Sequence, residues 1–264
     1  MNFRITKRHK YIIQSLIMVI YLYVFAIDPL ERGPLFFTFG AILSLVLSFA
    51  SHFPNSKVLN TIITNIVSVF LVLGVMLSLY FFPNLSMTFR ILSLLVFSAI
   101  YYLILLVNNV FLVVEDRGEL IPLYRVALTW SKILIAAVTI PLLAGIFKIS
   151  TLSMFEALTS VLISTVLYLY LVWSLKFNPD VKKYKVGEIL TVLSFTLFIV
   201  GCASLSVSFI PTESFLRALF VSSVVLFGVS YIEAHLKNAV NRRLISEHLI
   251  ISFLFLLLLL VFKP

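Results

Sequence analysis

Carboxylates are scarce in this chain, yet three stand together, Glu115, Asp116 and Glu119, within the stretch LLVNNVFLVVEDRGELIPLYRVALTWSK at 105–132. Asn108 and Asn109 precede them, and Arg117, Arg125 and Lys132 lie among or after them. Carboxylates so spaced, with Asn109 assisting, are the residue types that hold Mg²⁺ against a lipid or nucleotide pyrophosphate, since such sites use one or two carboxylates plus phosphate oxygens. Membrane prenyl- and phosphatidyl-transferases carry longer Asp-rich signatures with a second acidic motif, and neither occurs here. The plainer alternative is a connector between two membrane helices. Counting ~20 residues at 1.5 Å each from Arg90 puts Asn108 and Asn109 at the inner boundary and the three carboxylates beyond it. Gly118 and Pro122 then break the helix, and Leu120, Ile121 and Leu123 rest on the membrane surface.

Other polar side chains fall inside apolar runs, where each is costly and is a functional candidate. Asn65 lies about a turn and a half inside its span, where an amide either joins one helix to another or touches a substrate. Lys132, about seven residues into the fifth span, is within reach of the surface by snorkelling. Pro141 removes one backbone hydrogen bond mid-span and is expected to kink its helix. Glu233, His235 and Lys237 close the eighth span and Glu247 and His248 open the ninth. Without HExxH spacing or a third close ligand these read as a solvated corner rather than a metal centre. The single cysteine, Cys202, sits in an apolar run and cannot form an internal disulfide. No GxSxG, HExxH, P-loop or GxGxxG occurs, and no cofactor is expected. Candidate substrate contacts are therefore Asn65, Asn109, Lys132, Glu115 and Asp116, with no catalytic set assigned.

The elements that must position these residues are membrane helices. Of the 264 residues, 61% are hydrophobic and 12% charged, with a mean hydropathy of +1.13. A soluble domain carries roughly a quarter charged residues. The apolar residues fall in runs of about 20, enough to cross a hydrocarbon core of ~30 Å, whereas a β-barrel would show alternating strands of about 10. The predicted class is all-α, a polytopic membrane bundle forming a single domain over 1–264. Its nine spans are near 11–27, 34–53, 59–82, 89–113, 125–147, 155–176, 187–210, 215–236 and 245–262. The first has a basic start and a small-residue site at Val24-Phe25-Ala26 that would suit cleavage, but it is expected to stay as a helix.

The net charge of +9 collects at helix ends rather than on one face or arm, which points to topology and not to nucleic acid. One set of connections holds Arg4, Lys7, Arg8, Lys10, Lys57, Arg117, Arg125, Lys132, Lys176, Lys182, Lys183, Lys185, Lys237, Arg242 and Arg243, fifteen cations. The other holds Arg32, Arg90, Lys148, Arg217 and Lys263, five. The asymmetry predicts a cytoplasmic N-terminus and an external C-terminus.

An internal repeat is also legible. LYFFPNLSMTFRIL (79–92) and VSFIPTESFLRAL (207–219) each read as a helix exit, a proline, a polar loop and an arginine opening the next helix. Pro83 pairs with Pro211, Arg90 with Arg217, and Tyr102-to-Asn109 with Tyr231-to-Asn238. This predicts a parallel four-helix repeat over 1–120 and 121–240, plus an extra helix at 244–263. The chain resembles the general run of polytopic proteins of prokaryotic membranes, a likeness that carries no activity and implies a cell-membrane location. The first functional expectation is a non-catalytic membrane component, partnered by the bilayer and by other membrane subunits. The second is a permease for a small or lipid-like solute, and the third an enzyme on a lipid phosphate at the cytoplasmic face.

Overall fold

The computed structural model describes residues 7–52, 58–82, 85–119, 121–149, 152–181 and 185–262. Within them lie nine α-helices and no strand: α1 (Lys7–Ile27), α2 (Pro29–His52), α3 (Val58–Phe81), α4 (Met87–Arg117), α5 (Leu123–Ile149), α6 (Ser153–Leu175), α7 (Val186–Ser208), α8 (Ser214–Leu236) and α9 (Arg242–Val261). Eight are long and apolar enough to cross a membrane, as expected of a chain that must satisfy its backbone hydrogen bonds inside each segment. This is a multi-pass membrane protein.

The ninth, α2, needs a refinement. Gly33 interrupts it at φ 59°, ψ −174°, a conformation open essentially to glycine alone. The apolar helix beyond it, Leu35–Ser51, is shorter than the other eight spans and sits at the lower limit of about 17 residues for a crossing. α4 departs the other way. It is 31 residues long, or ~46 Å, and outruns the span read from hydropathy at both ends. It stops where glycine permits, since Gly118 takes φ 66° and its N–H caps Val114 O. α5 runs on through Pro141. Arg4, Lys57, Pro83, Leu120, Lys182, Lys183 and Lys263, which enter the charge, connector or repeat readings, lie outside the described residues.

The chain divides into two compact units, Met1–Ala127 and Leu128–Pro264. In the first, α1 packs on α2, α3 and α4, with α3 against both α2 and α4. Lipid tails are as apolar as leucine, so helices here associate through close fit and hydrogen bonds rather than through the hydrophobic effect. Gly40 supplies the fit, because a Cβ there would meet Met76 Sδ at 2.9 Å and Tyr21 Cε1 at 3.1 Å. In the second unit α6, α7 and α8 pack on one another and α9 leans on α8. Gly228 lets α8 approach Tyr168 of α6, whose ring lies where a Cβ would stand and whose hydroxyl donates to Val225 O at 3.1 Å.

Each unit holds an arginine, early in one helix, against a carbonyl near the end of an earlier helix. Arg90, fourth residue of α4, donates from Nη1 to Ala26 O at the end of α1, 2.6 Å. Arg217, fourth residue of α8, donates from Nη2 to Phe147 O near the end of α5, 3.0 Å.

Candidate functional site

In unit Met1–Ala127 the intramembrane polar groups meet one another. Asn65 is 2% exposed; its Nδ2 donates to Ser44 O at 3.2 Å and its Oδ1 accepts from Ser48 Oγ at 2.6 Å. Gln14 of α1 donates to Ser48 Oγ at 3.0 Å and to Tyr101 OH at 3.1 Å, and accepts from Ser51 Oγ at 3.1 Å. Ser44 Oγ lies 3.2 Å from Tyr101 OH. One buried network thus joins α1, α2, α3 and α4. Asn109 accepts from Tyr11 OH at 2.8 Å, and Asn108 donates to Thr64 O at 2.6 Å. Asn65 and Asn109 are therefore not brought together. Each serves a different pair of helices.

Glu115, Asp116 and Glu119 are spread over the end of α4 and the turn after it. Glu115 and Asp116 belong to its last turn, not to a loop beyond it, because the helix outruns the depth counted from Arg90. Glu115 is half-buried while Asp116 and Glu119 are exposed. Among the described residues no three His, Cys, Asp or Glu side chains converge as a metal set.

Lys132 finds the partner that hydropathy alone does not indicate. It does not stand as a lone snorkelling cation: its Nζ lies 2.6 Å from Glu233 Oε2, and Lys237 Nζ lies 2.7 Å from Glu233 Oε1. Glu233, expected in a solvated corner, is only 9% exposed. A carboxylate at that burial is costly unless paired and hydrogen-bonded, and here it has two cationic partners. These groups open onto a cavity of about 420 Å³ whose far wall is the start of α9, with Arg243, Glu247 and His248. Asn241 fixes that start by accepting from Leu244 N–H at 2.7 Å. Glu247 accepts from Arg243 Nε, also at 2.7 Å.

A second cavity of about 510 Å³ lies between α7, α8 and α9, lined mainly by apolar side chains such as Phe220, Val224, Phe227 and Phe253. His248 stands on the wall of both cavities. Its Nδ1 is 3.0 Å from Leu244 O and its ring 6.0 Å from that of Phe227. Cys202, which sits in an apolar run of the sequence, is exposed and faces this crevice.

A further buried ion pair holds α6 to α8. Arg217 Nη1 reaches both carboxylate oxygens of Glu156 at 3.1 Å, and its guanidinium carbon lies 5.5 Å from the centre of the Phe147 ring. Glu156 carried no weight in the sequence reading. The signal was present all the same: an acidic residue at the start of one span and a basic one at the start of another, each needing a partner.

No family model matches the chain, and comparison with curated proteins and with solved structures likewise finds no match.

Proposed function

We propose that this chain is a non-catalytic component of a cell membrane, with a cytoplasmic N-terminus, working beside other membrane subunits. The observation that supports this reading most is how the intramembrane polar groups are spent. Gln14, Ser44, Ser48, Asn65 and Tyr101 join four helices through one another, and Glu156 with Arg217 joins two more. Side chains committed to helix joining build a fixed frame. Native mass spectrometry of the protein released gently from its own membrane tests the reading. A second polypeptide at fixed stoichiometry is the expected result. A lone chain that turns over a lipid phosphate, and loses the activity in Glu115→Gln with Asp116→Asn, would overturn it.

A second reading, a permease for a lipid-like solute, is favoured by the paired cavities of unit Leu128–Pro264. One offers charge and the other an apolar wall. Solute uptake into vesicles carrying the purified protein separates the two readings.

A further inference from the structure

We propose that unit Leu128–Pro264 binds one membrane phospholipid with an anionic headgroup, the phosphate among Lys132, Lys237 and Arg243 and an acyl chain in the crevice between α7, α8 and α9. The site goes beyond the reading above and would serve a subunit and a permease alike. Three features carry it.

The first is order along α9. Arg243 and Glu247 line the polar cavity, His248 lines both, and Leu249, Phe253 and Leu256 line the apolar one. From Arg243 to Leu256 is ~20 Å of helix at 1.5 Å per residue. The chemistry therefore changes from ionic to apolar in passing from the helix end into the span, as a phospholipid does from headgroup to tail. A free phosphate would use only the upper half.

The second is charge. Three cations face two carboxylates, leaving one net positive charge for a phosphate diester. Each lysine ammonium has three donors and gives one to Glu233, so both can hold an anion without abandoning that carboxylate. Basic pockets between membrane helices on the cytoplasmic side suit anionic headgroups for this reason. The third is size, since about 420 and 510 Å³ both fall in the range of ~300–1,000 Å³ typical of ligand sites.

The test uses the full chain, delipidated in detergent, with native mass spectrometry against added dioleoyl phosphatidylglycerol, dioleoyl phosphatidylcholine and inorganic phosphate. One phosphatidylglycerol per chain, held about tenfold or more tightly than phosphatidylcholine, is expected. Lys237→Gln with Arg243→Gln should weaken it about tenfold, and Ala203→Trp, which fills the crevice, should do so by blocking the tail. Should the double variant fail to fold, Arg243→Gln alone, on an exposed side chain, carries the headgroup arm. Equal retention of the two lipids, or undiminished binding in folded variants, would overturn the site. Inorganic phosphate bound as tightly as phosphatidylglycerol would reduce it to an anion pocket and overturn the lipid. A co-purifying polypeptide and a bound lipid appear as separate masses, so this site and the subunit reading can fail independently.

Discussion

Single side chains inside these helices matter through their partners. Glu156 is 1% exposed and meets Arg217 through both carboxylate oxygens. Truncating the cation leaves a buried carboxylate unpaired, a change that costs about 3–5 kcal/mol in comparable buried pairs. Arg217→Ala should therefore lower the unfolding midpoint in detergent well below that of wild type, and Glu156→Gln combined with Arg217→Gln should recover much of the loss, since it leaves no orphan charge. A double variant no better than Arg217→Ala would show that the Phe147 carbonyl contact, not the ion pair, is what matters. Asn65 belongs to a milder class. Its bonds to Ser44 and Ser48 are of the kind worth about 0.6–1.7 kcal/mol between membrane helices, so Asn65→Leu should fold with a small drop in midpoint. Unchanged stability would take Asn65 out of the frame and return it to the list of solute contacts. Such partnerships are hard to read from sequence because the partners are far apart along the chain, as Lys132 and Glu233 are, and apolar periodicity carries no information about which polar residues face each other.

Helices as elements were far more legible, since length and apolarity alone place a span. The departures have local backbone causes. Gly33 breaks α2, and its left-handed φ leaves no hydropathy signal. α4 continues past the boundary because nothing in VVEDR opposes a helix until Gly118. That continuation moved Glu115 and Asp116 from a connector onto a helix, although Asp116 and Glu119 still face solvent. Asp116→Ala with Glu119→Ala should thus change stability by no more than about 0.5 kcal/mol, and a cooperative loss of fold would place those side chains in contacts unlike the ones described. A close element-to-element fit joins α6 and α8, where Tyr168 occupies the space over Gly228. Gly228→Ala must push that ring aside and disturb its bond to Val225 O, an overpacking that typically costs about 1–3 kcal/mol. Gly187→Ala, with nothing within 4 Å of the added methyl, is the control: it should unfold with wild type, and an equal loss in both variants would dissociate the effect from packing.

At the scale of the whole molecule, the threading of the chain and the repeat within it depend on each other. In the parallel repeat proposed from Arg90 and Arg217, each arginine reaches a carbonyl at the end of the helix three positions earlier in chain order. A four-helix repeat in the same orientation requires each set of four helices to return the chain to its starting side, and so requires α2 to cross. This is the least secure crossing on length, since its apolar stretch is only Leu35–Ser51. The side of Asp28, exposed between α1 and α2, compared with that of the later connections decides it. With nine crossings and a cytoplasmic N-terminus, Asp28 faces outward along with Glu213 before α8, while Asp180 after α6 faces the cytoplasm. In a Cys202→Ala background, a membrane-impermeant maleimide applied to intact cells should label Asp28→Cys and Glu213→Cys but not Asp180→Cys. Labelling of Asp28→Cys and Asp180→Cys with protection of Glu213→Cys would mean that α2 stays on one side, turning the repeat into three crossings against four. Labelling of Asp180→Cys alone would invert the whole assignment, and would place Lys132, Lys237 and Arg243 on the outer face with the headgroup they are proposed to hold.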